Sequence, residues 1–403
     1  MPENKYENPP NMTLQFPDDF FWGSSTSAAQ VETASAHNWK GVKTKDGHIF
    51  DRTTDHEKRR MEDIQYIEQF GQVYRCGVDW ARLQTEVYAP FDPEVVAEYQ
   101  DFFEELNAKG MKVMFVLHHF ANPLWFEARR GWLNEENVSA FVDFARQCIT
   151  HFGNYVFNWN TFNEPNVYAA NAYLLGNFPP FKKSYTKASL ALKNLGRAHD
   201  IIYQLIKEQY PDVSVGISLN TAYFKGLNWL GKIPAWLADW WFHKKAANPF
   251  KQVDYWGLSY YAYVPFTPIP LTEIEYPGRL GQRKIAHDKM WGYEPEGFRL
   301  IMRRFWKKYK KPLIVTETGI CTDDPKVRIQ AIKDYLSICH QLLEEGLPIK
   351  GFIFWSTWDN FEWHLGPTYR FGLVKVDPKT KDRTMTEAGH FYHQVAKTGI
   401  VNV

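Results

Sequence analysis

The sequence predicts a single (β/α)8 TIM barrel, and three observations carry that prediction. Eight short apolar runs alternate with eight helical segments along the chain. Several of those runs are apolar on both faces, as parallel strands covered by helices are. No Pro/Gly/Ser-rich linker divides the 403 residues, and α/β barrels commonly exceed the length of an ordinary single domain. The eightfold count favours a closed barrel over a doubly wound open sheet. The domain reading is an N-terminal arm over residues 1–15 and a barrel over residues 16–403.

The elements follow in order. Residues 20–22 form the first strand, which runs into small polar residues and then Gln30 and Glu32. Asp55 is placed to cap a helix through Phe70, with Met61, Ile64, Ile67 and Phe70 on one stripe. The second strand covers 73–83. Asp92 and Pro93 supply an N-cap and a proline at the first helical position, and that helix stops at Gly110. The third strand, 112–119, is almost continuously apolar. A helix over 134–151 is closed by Gly153, and 156–165 is strand then loop. A long helix over 187–209 precedes the fifth strand, 213–220. A Trp-rich helix over 233–247 precedes the sixth, 253–261. A helix over 297–308 leads to the seventh strand, 312–319. Asp324 and Pro325 open a helix ending near Gly346. The eighth strand is 349–355, and the last helix 386–395.

Composition removes several classes of function. Lys and Arg total 47 against 46 acidic residues, a net charge of +1. No basic run or acidic tail stands out, so neither nucleic acid nor a charged membrane surface is indicated as a partner. Cys76, Cys148, Cys321 and Cys339 form no CxxC pair, and no His/Cys cluster has zinc-ligand spacing. They read as reduced thiols of a cytoplasmic protein that needs no metal and no cofactor. The N-terminus lacks the basic and apolar regions of a signal peptide, and no apolar run reaches the ~18 residues of a membrane span. Aromatics are abundant, at 17% of the chain with 16 Trp.

The densest stretch is WSTWDNFEWHLGPTYRFGLVKVD, residues 355–377. Trp355, Trp358, Phe361, Trp363 and Phe371 supply aromatic faces, with Asp359, Asn360, Glu362 and His364 between them. A plain core needs few such polar groups, because each costs free energy unless paired. A sugar needs both: an aromatic for the apolar face of its ring, and carboxylates for its hydroxyls. Other strand ends match this one. Arg75 lies in strand two, His118 and His119 end strand three, and Asn163 and Glu164 end strand four. Ser259, Tyr260 and Tyr261 end strand six, and Glu317 ends strand seven. In a barrel these ends share one face, which carries the active site. Glu164 and Glu317 are the two carboxyls that glycoside hydrolysis requires, one as acid and one as nucleophile or base. Adjacent residues on a strand face opposite ways, so His118 turns into the strand–helix layer and makes no metal pair with His119. Arg75 is also open to a reading as a barrel-interior ion-pair partner. Trp236, Trp240 and Trp241 fit a packed helix, and Trp291 is a candidate for the aglycone side.

TFNEP at 161–165, VTETG at 315–319 and WSTWDNFEW with RFGLVKVD at 355–377 resemble the motifs of glycoside hydrolase family 1, the β-glucosidase family. FWGSSTSAAQVE, YRCGVDWARL and LHHFANP resemble its motifs at the first three strands. The resemblance runs from about residue 16 to the C-terminus. It implies Glu164 as general acid/base and Glu317 as nucleophile. Asn163 would bind the sugar 2-OH. Gln30, His119, Glu362 and Trp363 would hold the other hydroxyls, and Trp355 would floor the ring. Arg75 and Tyr261 would contact the nucleophile, a cation there lowering its pKa. Ser259, Thr318, Phe120, Thr33 and Pro367 depart from the family pattern, which bears on aglycone preference and on support near the nucleophile.

The implied activity is retaining, exo-acting hydrolysis of small β-glycosides or oligosaccharides, with β-glucosides first and β-galactosides and β-fucosides as alternatives. Glu362 beside O6 would repel a phosphate dianion, so the expected sugar is not phosphorylated. A transglycosylase with the same first step, a non-catalytic sugar-binding barrel and a metal-dependent hydrolase are the competing readings.

Overall fold

The computed structural model describes residues 12–274 and 278–403. Eight parallel strands close on themselves in chain order. They are β1 (Phe21–Ser25), β2 (Val73–Gly77), β3 (Lys112–His118), β4 (Val156–Asn163), β5 (Ser214–Gly226), β6 (Tyr255–Phe266), β7 (Leu313–Thr318) and β8 (Ile349–Trp355). Pairing of Phe21 with Gly351 through Ser25 with Trp355 completes the ring. The expected (β/α)8 TIM barrel is the observed fold. Its principal helices are α1 (His56–Ile67), α2 (Pro93–Ala108), α3 (Glu136–Phe152), α4 (Tyr185–Gln209), α5 (Trp229–Asp239), α6 (Pro295–Tyr309), α7 (Pro325–Glu344) and α8 (Glu387–Thr398).

Inside the ring, Val73, Met114, Tyr255, Ile314 and Ile353 from five strands pack as one apolar cluster. Two residues above Val73 on the same strand, Arg75 turns a charge into the same interior, because side chains two apart share a face. The barrel is thus plugged with hydrocarbon below and polar above, which puts the chemistry at the C-terminal end.

Local signals explain most element boundaries. The Asp92 carboxylate accepts from the Glu94 and Val95 amides at 2.9 and 3.4 Å, with Pro93 at the first helical position. Asp324 accepts from the Lys326 amide at 2.8 Å and is followed by Pro325 in the same way. Asp55 differs from expectation. It precedes α1 in a left-handed conformation (φ 59°) and makes no cap, because Arg52 holds its carboxylate. The second strand is also shorter than predicted. It stops at Gly77, and Asp79 caps a short helical turn, Trp80–Leu83, by accepting from the Ala81 amide.

Three features depart further from the sequence reading. First, the inner end of the expected loose arm is paired: Thr13–Gln15 runs antiparallel to Ile400–Asn402. The rest of the arm, residues 1–11, lies outside the described residues. Second, Val374–Val376 and Arg383–Met385 form a small antiparallel hairpin. Third, β5 and β6 continue past the barrel as a two-stranded ribbon, pairing Ala222 with Ala262 through Gly226 with Phe266. On that ribbon rides α5, which starts four residues earlier than expected and passes into a wide π-helical turn, Trp240–Lys245.

Candidate active site

The floor of the site is organised around Arg75. It is fully buried. Nη1 donates to Glu317 Oε1 at 2.5 Å and to Ser25 Oγ at 3.1 Å. Nη2 donates to Asn163 Oδ1 at 2.6 Å and to Ser218 Oγ at 3.1 Å. Four strands therefore meet on one guanidinium. The Tyr261 hydroxyl donates to the other Glu317 oxygen at 3.0 Å. Both oxygens of Glu317 are held, which fixes the orientation of its carboxylate. Arg75 is at once the ion-pair partner and the group beside Glu317, so its two sequence readings describe one contact.

Glu164 is held differently. It directly follows β4 in the left-handed region (φ 43°), uncommon for a residue with a side chain. Its amide donates to the Ser218 carbonyl at 2.8 Å, fixing that turn. One carboxyl oxygen accepts from Asn220 Nδ2 at 2.8 Å. Ser259 lies close enough for its hydroxyl to favour the charged form of the carboxyl. Burial, and then the charge of Glu317, push the Glu164 carboxyl up to about 8. Burial also raises Glu317, while Arg75 and Tyr261 act against it. The expected net lowering of Glu317 is not found, because loss of hydration outweighs the cation. The order survives: Glu164 keeps a proton more readily than Glu317.

Asn163 and His119 form the next layer. A guanidinium can only donate, so Arg75 fixes the Asn163 oxygen toward itself. The Asn163 amide nitrogen then faces His119 Nε2, 2.8 Å away, and must donate to it. Burial and Arg75 hold the His119 imidazole neutral. Its proton is therefore on Nδ1, which has no partner. The neighbouring His118 faces the other way, into a shell of Trp132, Phe141, Phe162 and Tyr168, with Nε2 2.9 Å from Asn122 Oδ1.

Trp355 and Trp363 both lie next to His119, with ring centres 5.7 and 5.8 Å from it. Trp363 is backed by Trp39 at 5.0 Å and Phe120 at 5.1 Å. Glu362 lines the same cavity as Trp355 and Trp363. Its Oε2 is buried and unpartnered, and burial with the Glu317 charge pushes the carboxyl up to about 8. Glu164, Glu317, His119, Asn163, Tyr261, Trp355, Glu362 and Trp363 all line one cavity of about 830 Å³. Gln30 does not. Its amide donates to Phe361 O at 2.6 Å and Asn360 Oδ1 at 3.2 Å, and its oxygen accepts from Ser27. It braces the loop carrying Glu362 from behind. Glu32 is likewise turned away, into ion pairs with Arg60 and Arg82.

Sequence reasoning overlooked Asn220. It ends the predicted fifth strand, the one strand to which no site residue was assigned, and that position was its only signal. Trp240 and Trp241 are packed against the core as expected, and they also line the outer cavity, as does Trp291. Trp236 was expected to be packed and is 63% exposed. The outer wall is apolar, built from Val167 and Leu174 on one side and Phe224, Phe242, Val264 and Phe266 on the ribbon side.

The family model for glycosyl hydrolase family 1 matches residues 12–228 and 243–400. The chain belongs to that family. The match leaves out 229–242, which is α5 and the start of the π-helical turn. Beta-glucosidase A of Thermotoga maritima is 27% identical over 440 residues, covering 95% of this chain and 98% of that protein. A 6-phospho-beta-galactosidase of Clostridium acetobutylicum is 26% identical, covering 94% and 97%. Among solved structures, the Thermotoga maritima beta-glucosidase in complex with glucoimidazole superposes with a TM-score of 0.86 at 26% identity, over 96% of this chain and 99% of that one. The beta-glycosidase from Pyrococcus horikoshii gives 0.86 at 27% identity, over 97% and 96%. As a family 1 member the chain is a glycosidase, and its fold is theirs.

Proposed function

We propose that this family 1 enzyme is a retaining exo-β-glycosidase acting on non-phosphorylated β-glucoside-type substrates. The observation that carries the reading is the unequal pair of buried carboxyls at the ends of β4 and β7. Glu317 is pinned through both oxygens and is the readier to ionise, as a nucleophile needs. Glu164 is held at one oxygen and retains its proton up to about 8, as a general acid needs.

In the first step Glu317 attacks the anomeric carbon as Glu164 protonates the departing oxygen. The bond to the aglycone breaks and a glycosyl ester of Glu317 forms. Esterification removes the charge that raised Glu164, so its proton affinity falls and it can take a proton from water. That water attacks the anomeric carbon, and the ester bond returns its electron pair to Glu317. Asn163, His119 Nδ1, Glu362 and Trp363 would engage the sugar hydroxyls, with Trp355 beneath the ring. Trp39 and Phe120 pack against Trp363, and exo action is part of the proposed reading. Gln30 acts on the sugar, in this reading, only by supporting the Glu362 loop.

Removing the nucleophile tests the assignment. Glu317→Ala should abolish hydrolysis of 4-nitrophenyl β-D-glucoside, and azide should restore turnover as the α-glucosyl azide. Glu164→Ala should slow substrates with poor leaving groups far more than activated ones. Near wild-type rates in both variants would defeat the proposal. Lys45 also lines the cavity, and one relative is a 6-phospho-beta-galactosidase. Paired nitrophenyl glycosides with and without a 6-phosphate therefore decide the glycone, and preference for the phosphorylated member would reverse that part.

A further inference from the structure

The helix that the family match leaves out is built the wrong way round for a soluble surface helix. Such a helix normally turns its large apolar residues to the core. On α5 the side facing the protein carries Gly231 and Ala235, which are buried. A Cβ on Gly231 would sit 2.1 Å from the Phe266 carbonyl, so the helix lies directly on the ribbon backbone. The large residues point outward. Trp229 is 76% exposed, Ile233 68% and Trp236 63%, with Leu230 and Leu237 near half. Positions 229, 230, 233, 236 and 237 form a single helical face. Clustered exposed apolar residues of this size mark an interaction surface, whereas scattered ones need no explanation.

Two more observations say what that surface meets. The face is continuous with the cavity, because Leu237 belongs to both. Across the mouth, Leu175 and Tyr185 also line the cavity and are about half exposed. On the two flanks of the mouth formed by α5 and by the segment before α4, lysines predominate, while Glu273 on the β6 side holds its carboxylate against the Gly278 and Leu280 amides. Lys225, Lys232 and Lys244 are exposed on the α5 side, and Lys182 and Lys183 on the other. No acidic residue occurs between Glu164 and Asp200, and only Asp239 between Asp212 and Asp254. Asp239 is paired with Arg304. The near-zero net charge of the whole chain conceals this zone, and the expectation of no membrane partner rested on the absence of a basic run, whereas these lysines are brought together from separate segments.

We propose that α5 seats the enzyme on an anionic lipid surface, and that the apolar outer cavity takes the hydrocarbon tail of a membrane-borne glycoside. This deepens the glycosidase reading and its substrate half rests on it. Tryptophans at the headgroup boundary, an aliphatic face below them and lysines around them are the pattern of an interfacial helix. The sugar must leave the lipid surface to reach Glu164 and Glu317. The first part of the tail then passes through Phe224, Phe242 and Phe266 instead of water. A second copy of the chain fits the face less well. A twofold interface sets each patch against itself, so the lysines would confront their own copies and the mouth would be covered.

The test uses the whole enzyme, phosphatidylcholine vesicles with and without phosphatidylglycerol, and the variant Trp229→Ser/Ile233→Ser/Trp236→Ser. None of the three side chains lines the cavity. Wild type should sediment with the anionic vesicles and be released by salt, and the variant should bind at least about tenfold more weakly. Hydrolysis of soluble 4-nitrophenyl β-D-glucoside should be equal in both, while hydrolysis of vesicle-borne dodecyl β-D-glucoside should fall about tenfold in the variant. Wild type remaining in the supernatant overturns the proposal. So does a wild-type dimer that the variant converts to monomer in sedimentation velocity. Vesicle binding without hydrolysis of either glucoside overturns the glycosidase reading and supports the docking face alone.

Discussion

At the scale of the residue, the site trades stability for readiness. Glu362 ionises near 4.5 in the ordinary state and is pushed up to about 8 by burial and by Glu317. Between those values the folded chain keeps a proton that the unfolded chain gives up, so stability falls as pH rises from about 4.5 to 8. Glu362→Gln removes that loss. Its melting temperature should exceed wild type by about 2–5 °C at pH 8 and by less at pH 5, with a raised KM. A variant that melts lower at pH 8 than wild type would contradict the assignment of an unpartnered buried carboxyl. Asn220 acts in the opposite sense on Glu164. Its hydrogen bond to Oε1 favours the charged form, so Asn220→Ala should raise the Glu164 pKa further. The alkaline limb of kcat/KM should then move to higher pH, with kcat down about ten- to a hundredfold. A limb that moves down would place Asn220 elsewhere in the reaction.

At the scale of the element, stability and function separate cleanly. Asp92, which caps α2, does not line the active-site cavity. Asp92→Ala should cost about 1 kcal/mol in denaturant unfolding and leave kcat/KM unchanged. The α2 boundaries were legible because an Asp-Pro start and a glycine stop act locally. The end of β2 was not, because the apolar run continues through Val78, Trp80 and Leu83 and only the Asp79 cap breaks it. The extension of β5 and β6 past the barrel was equally hidden. Its residues face a cavity wall on one side and α5 on the other, so they show neither strand alternation nor a turn signal.

At the scale of the molecule, the ends of the chain brace each other. Leu14 and Phe16 are buried, and Phe16 packs on Phe20 at 4.8 Å and Trp22 at 5.0 Å at the base of β1. Leu14→Ala/Phe16→Ala empties two buried positions beside the strand paired with Ile400–Asn402 and should lower the melting temperature by about 3 °C or more. Unchanged melting would mean that the pairing carries no stability. The stretch from Trp355 to Asp377 also changes meaning at this scale. Trp355, Glu362 and Trp363 line the cavity, whereas Trp358 is fully buried against His56, with ring centres 5.0 Å apart. An aromatic-polar run thus divides between a wall of the site and the outer layer of the barrel.

By itself the sequence determined the barrel, the order of its strands and which two carboxyls stand at the ends of β4 and β7. Strand periodicity and motif spacing are local properties, and barrel closure brings every strand end to one face. Only the tertiary structure decided how those groups are set against one another. Arg75 reaches Glu317 on β7 and Asn163 on β4, and that reach fixes the His119 proton on Nδ1. Gln30 is spent on the loop behind Glu362, and α5 turns its tryptophans outward. Each of these depends on which neighbour arrives at a given side chain. Hydration, charge and hydrogen-bond direction are properties of that neighbour, and it lies far away in the chain.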